Sequence, residues 1–167
     1  MRIGIRQMRI LFVTAIVAAL FTPMTARADW QYTKWGMSPA QTQQASRGAL
    51  RAVTPAEAPK KSIMGVAPSL IGTYTAGPLQ FEATLYFQPA GLYLVHLTQP
   101  DSGRNMEALA ALRGAYGEPV SNETSMVGKV YRWRDDNLNL SVEAYSFSKG
   151  GFTINYQPLR TAASGRL

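Results

Sequence analysis

The sequence predicts an α+β, two-layer domain in which a helix followed by a three-stranded antiparallel meander occurs twice. Three observations carry this expectation: a capped helix start at Ser38, an apolar period that switches to two from Leu70, and a second helical stretch followed by more alternating segments. Antiparallel hairpins with helices gathered on one face belong to that class.

The first helix is announced by Ser38-Pro39-Ala40-Gln41. Serine caps, proline suits the first helical position, and glutamine three residues after the serine completes a capping box. The expected span is Pro39 to about Leu50, with Trp35 and Met37 placed ahead of it for a hydrophobic staple. Residues 52–68 hold three prolines and the pair Lys60-Lys61 without periodicity, and they read as a long loop.

Strands are expected over 70–76, 79–88 and 91–98, with Gly77-Pro78 turning the chain between the first two. Gln88-Pro89-Ala90-Gly91 predicts a three-residue hairpin with a glycine bulge. That register sets Phe87 against Tyr93 and Leu85 against Val95. It gathers Phe81, Ala83, Leu85, Phe87, Tyr93, Val95 and Leu97 on one face.

A second helix, from about Gly103 to Tyr116, keeps Met106, Leu109, Leu112 and Tyr116 at helical spacing. Asp101 or Ser102 caps it, and Gly117-Glu118-Pro119 stops it. Strands over 127–134, 138–145 and 152–156 follow, the first two joined by an Asp135-Asp136-Asn137 turn. The expected organisation is a signal segment over 1–28, one α+β domain over 29–158 and a tail over 159–167.

The signal segment has three parts. Arg2, Arg6 and Arg9 precede an apolar run from Ile10 to Phe21, and Pro23 and Ala26-Arg27-Ala28 follow it. Twelve helical residues rise only about 18 Å, against a hydrocarbon core about 30 Å thick, so no stable membrane anchor is expected after cleavage. The expected location is periplasmic or secreted. Four of the 17 basic residues and none of the 10 acids lie in this segment, which leaves 13 against 10 in the mature domain, a net of +3. So mild a charge gives nucleic acid little hold. The chain has no cysteine, which excludes thiol catalysis, thiolate metal sites and disulfides.

Trp35-Gly36-Met37-Ser38-Pro39-Ala40-Gln41 resembles the approach to the first helix in many small exported bacterial proteins, and Tyr116-Gly117-Glu118-Pro119 resembles their helix stop. The layout is similar to the fold of the beta-lactamase inhibitor protein and of the SmpA/OmlA outer-membrane lipoproteins. The resemblance implies a non-catalytic domain that binds another protein in the envelope. This chain has neither the lipid-bearing cysteine of the second group nor the disulfides of the first.

The candidate binding residues are Tyr86, Leu92, Leu94 and His96, which the expected register sets on the outer face of the first hairpin beside Thr84 and Gln88. If the helices cover only the opposite face, these residues form an apolar patch with a polar rim, a pattern of partner binding; if the sheet curls or the carboxy-terminal hairpin covers them, they are core instead. His96 is the sole histidine, with Glu82 diagonal to it, so a general base is a second reading. No catalytic cluster, metal site or cofactor is expected. Tyr131-Arg132-Trp133-Arg134 mixes aromatic and basic groups, but on a strand the aromatics face one way and the arginines the other. The expectation is therefore an exported binding module that recognises an envelope protein or a small hydrophobic ligand. The alternatives are an envelope hydrolase using His96 and a self-associating structural protein.

Overall fold

The computed structural model describes residues 30–159, so the expected signal segment over 1–28 and all but Leu159 of the expected tail lie outside the described residues. The capping box forms: Ser38 Oγ accepts from the Gln41 amide at 3.3 Å, and Gln41 Oε1 accepts from the Ser38 amide at 2.9 Å. The helix it opens, α1 (Pro39–Ala45), has only seven residues. Arg47 and Gly48 both take positive φ, 50° and 92°, and turn the chain into β1 (Leu50–Ala52).

A 3-10 turn at Ala58–Lys61 precedes β2 (Leu70–Ala76), β3 (Leu79–Gln88) and β4 (Gly91–Gln99). A second one, Ser102–Arg104, opens with the Asp101 side chain accepting from the Gly103 amide and runs into α2 (Asn105–Tyr116). Four further strands follow among the described residues: β5 (Ser121–Ser125), β6 (Gly128–Asp135), β7 (Leu140–Phe147) and β8 (Phe152–Pro158).

All eight strands belong to one antiparallel sheet in the order β1-β2-β3-β4-β8-β7-β6-β5. This corrects the expected fold class. The described chain is mostly a single sheet with two short helices, not a two-layer helix-plus-meander unit occurring twice. The order of elements along a chain does not say which strands pair. Here β4 and β8, each the last of its run, pair from Val95–Tyr156 to Gln99–Phe152 and fuse the two runs.

Alternation along the strands gives the sheet one apolar face. Phe81, Ala83 and Leu85 of β3 align with Val95 and Leu97 of β4, then with Ile154 and Tyr156 of β8 and Val142 and Ala144 of β7. Ala108, Leu109 and Leu112 of α2 complete this core. Each large side chain buried here contributes roughly 1.5–3 kcal/mol relative to exposure. Trp133 of β6 also packs into the core, and its indole N–H donates to the Gly117 carbonyl at 2.8 Å, tying the end of α2 to the sheet.

The β3–β4 hairpin keeps Leu85 against Val95, but its tip differs from the expected one. Gln88 pairs with Gly91, so the loop has two residues, and the irregularity lies opposite the Tyr86–Phe87 step, where Tyr93 is the extra residue on β4. Leu92 therefore pairs with Phe87 and enters the core, 2 % exposed.

Candidate binding site on the outer face

Because successive side chains alternate, the face opposite the core is set by the same register, and a row of polar residues crosses it. Thr84, His96, Asn155, Glu143 and Arg132 stand side by side across β3, β4, β8, β7 and β6. His96 Nδ1 lies 2.7 Å from Asn155 Oδ1. An amide oxygen there makes Nδ1 the protonated nitrogen and leaves a lone pair on Nε2. Farther along, Arg132 Nε donates to Glu143 at 2.9 Å, its Nη1 bonds Glu123, and the Tyr145 hydroxyl donates to Glu143 at 2.8 Å.

One end of this face is roofed by the segment around the first 3-10 turn. The Tyr86 hydroxyl donates to the Lys61 carbonyl at 2.6 Å, and the Lys61 ammonium pairs with Glu82. An Ile63–Val66 bridge closes the segment into a strap. Between strap and sheet lies a cavity of about 220 Å³, whose lining includes Lys60, Glu82, Thr84, Tyr86, His96 and Thr98.

The structure thus brings Tyr86, Leu94 and His96 onto one face, while Leu92 lies on the other. The expected open apolar patch is closed. Tyr86 is 1 % exposed and Leu94 7 %, and a polar cavity stands where the patch was expected. Lys61, Thr98 and Asn155 were not singled out from the sequence. Alternation over 152–156 sets Asn155 on the outer face, but its contact with His96 spans 59 residues and has no local signature. Tyr131-Arg132-Trp133-Arg134 divides as expected: Trp133 is buried, while Arg132 bonds Glu143 and Glu123 and Arg134 bonds Asp136. Both guanidiniums are occupied by carboxylates.

Burial holds the His96 imidazole below the usual histidine value, outweighing its bond to Asn155 and the nearby Glu82 carboxylate, both of which pull upward. Burial also pushes the Tyr86 hydroxyl up to about 12, so it remains a donor to the strap at any ordinary pH. Since His96 charges more readily in the unfolded chain, the unfolded state binds more protons as the pH falls. Its contribution to stability is full above the ordinary histidine value of about 6.5 and is lost as the pH falls through the lower folded value. A melting-temperature series from pH 8 to pH 5 should therefore decline below about pH 6.5, and His96→Gln should flatten that limb. The sole histidine makes this variant a complete control for imidazole titration.

Among the described residues, no group of three or more histidine or carboxylate side chains is placed to hold a metal ion. No described helix is long and apolar enough to cross a membrane. No family model, curated protein or solved structure matches the chain.

Proposed function

We propose that this chain is an exported, non-catalytic binding module of the cell envelope whose ligand seats under the strap, against β3 and β4. The observation that carries this reading is the cavity itself. One face of the sheet is spent on the core, and on the other face Thr84, His96, Thr98 and Glu82 line a partly open concavity under the strap. In small-molecule sites a few placed polar groups in a largely preformed concavity fix the orientation of the ligand. At about 220 Å³ the space is below the range of roughly 300–1,000 Å³ that accommodates drug-sized ligands, so a small polar compound is the fitting occupant.

Saturation-transfer NMR on the low-mass, water-soluble fraction of a bacterial envelope extract tests the reading. Ligand signals should appear with the native chain and vanish in Thr98→Leu, which fills the cavity while leaving the core face untouched. Equal signals from both proteins would place binding elsewhere and defeat the proposal.

A hydrolase is the second reading, favoured by one observation: the Asn155 bond orients the His96 ring beside a concave space, as a general base requires. Glu82, its expected partner, is instead paired with Lys61, which makes binding the stronger reading.

A further inference from the structure

We infer that the ligand of this cavity is an acidic amino acid, carrying two carboxylates and one ammonium group. The inference builds on the binding-module reading above and concerns only the chemistry of the occupant. Three charged side chains border the space, Lys60 and Lys61 from the strap and Glu82 from β3. Their bonding capacity is only partly used. A lysine ammonium offers three donors, and Lys61 gives one to Glu82 Oε1. Glu82 Oε2 accepts no hydrogen bond among the described residues, and Lys60 has no carboxylate partner among them.

The groups with capacity left to meet a ligand are therefore two ammoniums and one carboxylate oxygen, with Lys60 the charge that no carboxylate among the described residues offsets. Both members of the Lys61–Glu82 pair reach solvent at the cavity mouth, with side chains 24 % and 44 % exposed, so a ligand can meet them without breaking the fold. Two ligand carboxylates would satisfy Lys60 and Lys61, and one ammonium would satisfy Glu82 Oε2. The lining sums to +1 with a neutral imidazole, and an acidic amino acid carries −1 at neutral pH. Glu82 also supplies discrimination: a dianion without an ammonium group meets an unrelieved carboxylate there, a repulsive element set against the wrong ligand. Thr84, Thr98 and His96 complete the lining, residues whose hydroxyl and imidazole groups can hydrogen-bond without adding charge.

Titration of the isotope-labelled chain with L-glutamate, glutarate, 4-aminobutyrate and inorganic phosphate, followed by amide NMR, tests this. L-Glutamate should shift the amides of Thr84, His96 and Thr98, and should bind at least tenfold more tightly than the other three. In Glu82→Gln the preference over glutarate should disappear. In Lys60→Met, at an exposed strap position that leaves folding intact, L-glutamate should bind no better than 4-aminobutyrate. Glutarate or phosphate binding as tightly as L-glutamate overturns the amino-acid assignment, as does the absence of shifts at those three amides with 10 mM L-glutamate. The binding-module reading stands or falls separately, on whether extract signals survive Thr98→Leu.

Discussion

Leu92→Glu should unfold the domain. In the structure Leu92 is 2 % exposed, paired with Phe87 on the core face of the β3–β4 hairpin, and its backbone carries a second load. Its carbonyl accepts from the Gly36 amide at 3.0 Å and its amide donates to the Met37 carbonyl at 2.8 Å, fastening the segment before α1 to the hairpin. Truncating a buried leucine costs about 2–5 kcal/mol in its own right, and an unpaired buried carboxylate adds several more or remains protonated. Against a total stability of roughly 5–15 kcal/mol, the folded state does not survive that loss. Circular dichroism and urea denaturation of the purified variant read the outcome directly. A cooperative transition at the native midpoint would mean that Leu92 is on the outer face after all.

Gly91→Ala should be the next most damaging change, through the backbone alone. Gly91 has φ of 103°, and a Cβ placed on it would lie 2.1 Å from the Gly36 carbonyl oxygen. Both partners are main chain, so no side chain can swing aside. Strain of this kind, added to the unfavourable φ, is expected to lower stability by about 3 kcal/mol, or roughly 10 °C in melting temperature. Gly77 supplies the control. Its φ of 58° lies in the left-handed helical region, which alanine enters at modest cost, and nothing lies within 4 Å of an added Cβ. Gly77→Ala should therefore cost only about 1 kcal/mol. Equal losses in the two variants would remove the Gly36 contact from the account.

These residues also show where the sequence is readable and where it is not. Leu85 against Val95 follows from alternation and holds in the structure. The tip does not, because a bulge can sit at the turn or several residues along the strand, and local composition favours neither. That shift, with Tyr93 as the extra residue, is what carries Leu92 from the expected outer face into the core. The edge strands β1 and β5 escape detection for a different reason. β1 has three residues, and Ser121-Asn122-Glu123-Thr124-Ser125 buries nothing apolar, so neither shows a period.

The candidate site divides in the same way. His96, Thr84, Glu82 and Tyr86 share a face by alternation, and the sequence places them together. The strap over them lies in a stretch whose only sequence signals are prolines and lysines. Its attachment, Tyr86 to the Lys61 carbonyl, joins residues 25 apart through a backbone atom that every residue type possesses. No pattern of side chains can announce such a contact. The result is that a face expected to be apolar and open is polar and roofed.

The seam between β4 and β8 has a consequence for the order in which the domain can be completed. Among the described residues β8 is the last strand, yet it occupies the fourth place from one edge of the sheet and the fifth from the other. As the polypeptide emerges amino end first into the compartment where it folds, β1 to β4 can form their hairpins, but the inward-facing edge of β4 has no neighbour until residues 152–158 arrive. Until then the nascent chain presents an unpaired edge beside Val95 and Leu97, the kind of surface on which foreign strands add. Residues 152–158 therefore act as the keystone of the sheet, and the interval before they arrive is when this chain most needs protection from its neighbours.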